Sequence, residues 1–349
     1  MKTILTKILL KYFNGIDGIS IEEELHKTSW HKDLHYKVRI NGRLFAARFL
    51  PNDRSPNQEF GELTNDVLVE QLNFCLFLNM HEVPFMKLRT TIEGELFTIV
   101  EIEHIIYRFV LFDWIEGHHI TSYVGTSAEK FGRAAREFHE IASQYTSDIF
   151  SKTSHTVGYT SFYDQLNKKL LNGELSIQHS HQMKYYLEMC KFHLENASTR
   201  ELDFIVQSDL NPLNVLWDAE ERIKGFVDFE SIGYTDRIEG LAWLIKWYSR
   251  TNGIHSRKMS SEVAAAFLKG YQIDRDILRS EKVRLSSLLW LSGCLNWNFV
   301  KRTIQILENQ PELLNDYLTW YRERGDSLTD LLHFFERKRF LLKKFDFTV

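Results

Sequence analysis

Residues 204–217 read Phe204-Ile205-Val206-Gln207-Ser208-Asp209-Leu210-Asn211-Pro212-Leu213-Asn214-Val215-Leu216-Trp217, and residues 225–230 read Gly225-Phe226-Val227-Asp228-Phe229-Glu230. An apolar strand leads into Asp209, a second opens after Asn214, and a third ends on Asp228 beyond a polar turn. The pattern places three acidic or amide groups at strand ends around one short hairpin. Phosphoryl transfer from ATP needs such a set. One carboxylate orients and accepts the proton of an acceptor hydroxyl, while an amide oxygen and a second carboxylate hold Mg²⁺ on the phosphates. The five-residue step from Asp209 to Asn214 lets a loop turn both side chains toward one metal site.

Upstream of this island the chain changes character once. Tyr36, Val38 and Ile40 alternate with Lys37 and Arg39, and Asn41-Gly42 separates them from the strand-like run Arg43 to Leu50. Asn-Gly between alternating runs predicts a hairpin, because both central residues of a type I′ turn need positive φ. Leu63 to Met80 reads as a helix presenting Leu68, Leu72, Cys75, Leu76 and Asn79 on one face. Leu96 to Ile102 and Ile105 to Ile115 read as strands. After Gly117 the pattern is helical. Thr126-x-x-Glu129 predicts a capping box ahead of the stripe Phe131, Ala134, Ala135, Phe138 and Ala142. A further helical stretch is expected over about 161–197, and from Gly240 onward the chain reads as helix. No repeat or low-complexity linker occurs, so the change near Gly117 reads as a hinge.

The composition bounds the function classes. At roughly 150 residues per domain, 349 residues suggest two domains or lobes. A 44% hydrophobic and 26% charged chain is ordinary globular usage, which excludes disordered and collagen-like classes. The formal net charge of −4 gives no basic excess for nucleic acid. Cys75, Cys190 and Cys294 are few, odd in number and far apart, as expected in a reducing compartment. The N-terminal apolar stretch is broken by Lys7 and Lys11, unlike a signal peptide. The longest uncharged run, Leu285 to Val300, is 16 residues and contains Ser, Gly and Asn, short of the roughly 18 apolar residues of a membrane span. A soluble, cytoplasmic protein with no membrane partner is expected.

The residues around Asp209 and Asp228 resemble the aminoglycoside phosphotransferase family, small-molecule kinases with a protein-kinase-like fold. That family's loop runs His-Gly-Asp-Leu-His-Pro-x-Asn, followed by an Asp-Phe-Glu-like segment and a Gly-Asp before a helix. Asp209, Leu210, Pro212 and Asn214 match it, as do Asp228, Phe229, Glu230, Gly233 and Asp236, with Glu239-Gly240-Leu241-Ala242 opening the helix. Gln207-Ser208 stand where the family has His-Gly, and Asn211 where it has the second His. The resemblance implies Asp209 as catalytic base and Asn214 and Asp228 as Mg²⁺ ligands. It also implies Arg48 as the phosphate-binding strand residue, paired with Glu70 at the start of the first lobe's helix. Val110 to Gly117 resembles the interlobe hinge, where main-chain groups of Asp113 and Ile115 would read the adenine edge. Ser29, in the turn Lys27 to Leu34, would cover the phosphates; no Gly occurs between Gly18 and Gly42.

The expected fold is therefore α+β and two-lobed, with a β-rich nucleotide-binding lobe over residues 1–116 and a helical lobe over 117–349 carrying the catalytic loop and acceptor site. The implied function is ATP- and Mg²⁺-dependent phosphorylation of a small-molecule hydroxyl. A metabolic kinase of the choline, homoserine or sugar type and a non-catalytic nucleotide-binding protein are the alternatives left open. Residues 241–340 hold 16 Lys and Arg against 11 Asp and Glu, a balance of +5. That sign disfavours polycationic aminoglycosides as acceptors, since each desolvated ammonium needs an acidic partner. Asp236 is expected to be structural and His139 a packed helix residue. Trp243, Trp247, Trp290 and Trp297 are expected in the core, and Glu336 to Arg339 on a solvated helix end.

Overall fold

The computed structural model describes residues 1–25, 33–52, 63–154, 156–172, 175–198, 202, 204–254, 259–273 and 280–345, with side chains as far as 331. The chain separates into two units that each draw on several stretches of sequence. Among the described residues no helix is long and apolar enough to cross a membrane.

The first unit comprises residues 1–119, 145–151 and 214–232. It opens with α1 (Lys2–Leu9) and β1 (Ile19–Leu25), neither of which the sequence patterning singles out. Burial of Leu5, Ile8 and Leu9 holds α1. By contrast β1 carries the polar run Glu22 to Glu24 on an edge, where charge discourages pairing with another chain. β2 (Leu34–Ile40) and β3 (Arg43–Pro51) form the expected hairpin, with Asn41 at φ 49° and Gly42 at φ 79°. α2 (Asn65–Met80) follows, capped by Thr64, whose Oγ1 accepts from Val67 N at 3.2 Å. β4 (Leu88–Arg89), β5 (Thr98–Ile102) and β6 (Ile105–Asp113) complete an antiparallel sheet of order β1-β2-β3-β6-β4, with β5 also paired to β6.

Strand β6 is buried through six successive residues, Tyr107 to Phe112, so both its faces are covered. Around it, Phe49 packs on Phe109 with ring centroids 4.9 Å apart, and Tyr12 lies edge-on to Phe109 at 5.6 Å. Each such fully buried ring stabilises the unit by roughly 1.5–3 kcal/mol. Arg108, also buried in β6, gives its terminal nitrogens to carbonyls. It donates to Leu63 O at 2.5 Å and to Pro51 O at 2.9 Å, tying the end of β3 to the entry of α2. Later in the chain the unit gains the hairpin β8 (Val215–Trp217) and β9 (Ile223–Phe226). Met86 N donates to Phe226 O at 2.9 Å, and Phe226 N to Pro84 O at 2.7 Å, which fixes that hairpin beside the segment before β4. Gly117 is required here by close approach, since a Cβ would sit 2.8 Å from Trp217 O.

The second unit comprises residues 120–144, 152–213 and 233–349 and is mainly helical. α3 (Gly125–Ala142) begins earlier than the Thr126-x-x-Glu129 reading places it. Its N-cap is Val124, whose N–H donates to Ser127 Oγ at 3.1 Å, so Ser127 takes the N3 role expected of Glu129. The helical stretch expected over 161–197 is two helices, α4 (Thr156–Leu171) and α5 (Ile177–Ala197). β7 (Phe204–Gln207), buried at every position, pairs with β10 (Ile232–Thr235), while β8 pairs with β9. The island thus divides into two small ladders where the sequence reading places one hairpin. α6 (Arg237–Tyr248), α7 (Ser261–Tyr271), α8 (Lys282–Cys294), α9 (Trp297–Asn309) and α10 (Leu314–Phe345) follow.

α3 and α7 pack nearly backbone to backbone, because Gly132 and Gly270 leave no room for a Cβ against Phe267 and Glu129 respectively. His139 of α3 is buried. Its Nδ1 shares a 2.8 Å hydrogen bond with the Tyr271 hydroxyl, and its ring lies against Phe204 of β7. Of the four tryptophans expected in the core, Trp290 is fully buried, Trp243 and Trp247 are half-buried, and Trp297 is exposed.

Candidate active site

In the first unit the site grows from β3 and from the turn after β9. The alternation of β3 alone does not explain a half-buried arginine at position 48; its partners do. Arg48 NH2 meets Glu230 Oε1 and lies 3.4 Å from Asp33 Oδ2, and NH1 lies 3.8 Å from Asp228 Oδ1. Burial alone would lower the guanidinium's pKa. The charges of Glu230, Asp228 and Asp33 outweigh that cost and hold it above its ordinary value. The Arg48 guanidinium also sits 5.3 Å from the Phe229 ring centroid, and Phe229 packs on Phe112. Arg48 Nε is buried with no hydrogen-bond partner among the described residues.

Asp228 adopts φ 70°, a left-handed conformation that costs about 1 kcal/mol or more for a residue with a Cβ. Its Oδ1 accepts from Glu230 N at 3.2 Å, which helps to hold that turn. One residue earlier, Val227 N donates to Asn214 O at 2.9 Å, so the β8–β9 ladder continues to a pairing of Asn214 with Val227, the residue before Asp228. The unit therefore brings Arg48, Asn214 and Asp228 together.

Other expected residues fall differently. Glu70 is not the partner of Arg48; its Oε1 accepts from the Tyr145 hydroxyl at 3.1 Å. The neighbouring position faces the site instead, for buried Gln71 donates through Nε2 to Glu230 O at 3.1 Å. Asp113 ends β6 with its N–H donated to Lys87 O at 2.9 Å and its carboxylate held by Arg89 at 2.5 and 2.9 Å. Of that pair, Ile115 retains a main-chain N–H outside the backbone hydrogen bonds of the described residues. Ser29 lies outside the described residues.

Asp209 belongs to the second unit, on the loop that leaves β7. Asn211 folds this loop back: its N–H donates to Asp209 O at 2.8 Å and its Nδ2 to Asp209 Oδ2 at 3.1 Å, while its Oδ1 accepts from Leu213 N at 2.8 Å. An asparagine can do this because its amide offers donor and acceptor on one short stem. Tyr248 holds the next residue, donating its hydroxyl to Leu210 O at 2.9 Å. The Tyr248 ring stacks on Phe131 at 3.6 Å. Burial, first, and then Tyr123 and the charge of Asp209 push its hydroxyl pKa well up, so it stays a donor. No spacing in the sequence marks Tyr248 for this role. Asp236 caps α6, with Oδ1 accepting from Ile238 N at 2.8 Å and Glu239 N at 3.1 Å, and Arg284 of α8 pairs with its other oxygen.

The donor set suits a magnesium nucleotide. Asp228 and Asn214 offer hard oxygen ligands, and the Asp228 side chain is 33% exposed. Among the described residues no group of three or more His, Cys, Asp and Glu gathers as a self-sufficient metal cage. Mg²⁺ on a nucleotide does not require one, since it is commonly held by one or two protein oxygens plus phosphates. Arg48 Nε, with no hydrogen-bond partner among the described residues, fits a phosphate oxygen.

Comparison with known proteins agrees. A family model described as "Phosphotransferase enzyme family" matches residues 60–280. No curated protein matches the sequence. Among solved structures, an aminoglycoside phosphotransferase from Alicyclobacillus acidocaldarius subsp. acidocaldarius is similar with a TM-score of 0.60 at 14% identity, covering 95% of both chains. A microcompartment-associated aminopropanol kinase is similar with a TM-score of 0.61 at 15% identity, covering 97% of this chain and 98% of its own. An amicoumacin kinase solved with AMP-PNP, Ca²⁺ and Ami is similar with a TM-score of 0.60 at 14% identity, covering 94% and 93%. At these identities the likeness is one of fold, the α+β fold of protein-kinase-like phosphotransferases.

Proposed function

The chain belongs to the phosphotransferase enzyme family, and from that membership we propose that it transfers the γ-phosphoryl group of ATP to a hydroxyl of a small molecule in a Mg²⁺-dependent reaction. The observation that carries this reading is Arg48 with an open, buried Nε in the same unit as Asn214 and Asp228. The amicoumacin kinase of similar fold, solved with AMP-PNP, supports the choice of nucleotide.

Each residue has a task in this reading. Arg48 presents Nε to a phosphate oxygen and is kept charged by Glu230, Asp228 and Asp33. Asn214 and Asp228 hold Mg²⁺, which when bound neutralises charge on the phosphates. Asp209 accepts the proton of the acceptor hydroxyl as that oxygen forms its bond to the γ-phosphorus. The bond from phosphorus to the bridging oxygen breaks, and ADP leaves. Asn211 and Tyr248 are positioning residues, which hold the Asp209 loop through Asp209 O, Asp209 Oδ2 and Leu210 O. The Ile115 N–H serves the adenine edge, and Glu70, bonded to Tyr145, serves to anchor α2.

The acceptor is a small molecule other than a polycationic aminoglycoside, a choice supported by the +5 balance over residues 241–340. ADP release measured against a broad panel of hydroxyl acceptors, with and without Mg²⁺, tests the function. Mg²⁺-dependent ADP release with at least one acceptor is expected. Nucleotide binding without any ADP release across the panel would favour a non-catalytic nucleotide-binding protein.

A further inference from the structure

The strip of chain after Ile115 lies along β8. His118 and Trp217 exchange two main-chain bonds, His118 N to Trp217 O and Trp217 N to His118 O, both 2.9 Å. Residues 117–119 therefore run antiparallel beside β8. Trp217 is fully buried and Leu216 half-buried, so the two side chains turn to opposite faces. His118 shares the Trp217 side, which puts His119 on the Leu216 side. Position 117, two residues earlier on the strip, agrees: a Cβ there would lie 3.2 Å from Leu216 Cβ. Ile115 reaches the same face. Leu216 pairs with Gly225 across the hairpin, and a Cβ at Gly225 would meet Ile115 Cδ1 at 2.5 Å. Cross-strand partners share a face, so Ile115, Leu216 and His119 gather on one side of the β8–β9 hairpin, all within the first unit.

The main chain fixes the His119 ring and its tautomer. Nδ1 lies 3.0 Å from Val215 O, and Val215 directly follows Asn214. A carbonyl oxygen only accepts, so Nδ1 carries the ring hydrogen and the neutral imidazole presents Nε2 as a lone-pair acceptor. His119 is exposed, and among the described residues its Nε2 makes no hydrogen bond. A phosphate oxygen has no hydrogen to give to such a nitrogen, whereas a hydroxyl has one. The partner that suits Nε2 is therefore a hydroxyl group of a ligand.

We propose that His119 Nε2 accepts a hydrogen bond from a ribose hydroxyl of the nucleotide and so selects ribonucleotides over deoxyribonucleotides. This rests on the reading of the first unit as a magnesium-nucleotide site. In that reading the Ile115 N–H takes the base, and Asn214 and Asp228 take the metal on the phosphates. The sugar then lies between them, along the face that His119 shares with Ile115 and Leu216. The ring hangs on the residue next to Asn214, so it stands at the sugar and not at the base.

Calorimetric titration of the full-length protein with ATP, 2′-deoxy-ATP and 3′-deoxy-ATP, each with Mg²⁺, tests this on the wild type and on His119→Ala. The wild type should bind ATP about two- to tenfold more tightly than one of the two deoxy analogues, the usual worth of one neutral hydrogen bond. The weaker analogue identifies the hydroxyl. His119→Ala should lose that same factor for ATP and leave the affinity of the weaker analogue as it is. Its melting temperature should not change, because the ring is exposed. His119→Phe keeps a ring without either nitrogen and should behave as His119→Ala does. Equal affinities of the wild type for all three nucleotides would overturn the proposal and leave the nucleotide site standing. So would a discrimination that survives in His119→Ala, or a parallel loss of ATP and both analogues, which would reduce His119 to a brace for Val215. A wild type that binds no ATP would overturn the nucleotide reading itself, and the role of His119 with it.

Discussion

Arg48 of β3 gives its NH2 to Glu230, and the carbonyl of that same Glu230 takes Gln71 Nε2 at 3.1 Å. One residue thus ties the sheet and α2 to the turn that follows β9. With side chains only 13% and 17% exposed, Arg48 and Glu230 are sheltered enough for the pair to matter to the fold as well as to the phosphates.

Replacing Glu230 by Gln should therefore lower stability by about 1–3 kcal/mol, because it leaves a buried guanidinium with fewer counter-charges. Asp33 and Asp228 keep the loss from being larger. A double-mutant cycle of Glu230→Gln with Arg48→Met, read by urea unfolding, should show the two effects to be strongly non-additive. Additive losses would show the two residues to act independently.

The capping carboxylate of α6 should be the more sensitive position. Asp236→Ala removes two hydrogen bonds to N–H groups and the buried carboxylate of Arg284, which keeps Glu281 at 3.6 Å. A lost cap costs about 1 kcal/mol and a lost hydrogen bond to a charged group about 1.5–3 kcal/mol. Chemical denaturation should show a fall of several kcal/mol. An Asp236→Asn variant keeps an acceptor oxygen for the cap and should recover about 1 kcal/mol of that loss.

Much of this was legible in the chain because local signals and tertiary structure agree. Asn41-Gly42 announces its turn through backbone conformation alone, and the run from Phe204 to Glu230 carries its strands and its Asp and Asn residues together. What was not legible depends on partners distant in sequence. Position 71 rather than 70 faces the site because α2 is buried on more than one side, so its periodicity does not select a face. Tyr248 holding Leu210 O is a contact 38 residues apart, with no spacing rule behind it. The pairing of β7 with β10 was hidden because β8, adjacent in sequence, is an equally apolar candidate. β1 was hidden by its glutamates, which suit an edge strand but break the usual alternation.

Stability should rise with pH on the acid side of neutrality. His139 is pushed down to about 3 by burial and then by the charge of Arg237, whereas an unfolded histidine titrates near 6.5. Between those values the unfolded chain binds a proton that the folded chain refuses. The stability is fully present above pH of about 6.5 and is lost as pH falls, by about 1.4 kcal/mol per pH unit for one such histidine. His193, lowered to about 4 by burial, acts in the same direction. Urea unfolding at pH 7.5 and 5.5 should show this slope, and His139→Phe should reduce it by roughly half. An unchanged slope would mean that His139 is not the buried neutral base.

The division of labour between Asp209 and Asp228 is the centre of the account. Calorimetric titration of Mg-ATP into the wild type, Asp209→Asn and Asp228→Asn, alongside ADP release with an accepted hydroxyl compound, tests it most directly. Asp209→Asn should bind Mg-ATP as the wild type does and lose turnover by about 10²–10⁴-fold, the usual worth of a positioned base. Asp228→Asn should lose Mg²⁺-dependent affinity and turnover together, since the cation loses one of its few protein oxygens. A folded Asp209→Asn protein that turns over like the wild type, or an Asp228→Asn protein with undiminished Mg-ATP affinity, would contradict the assignment.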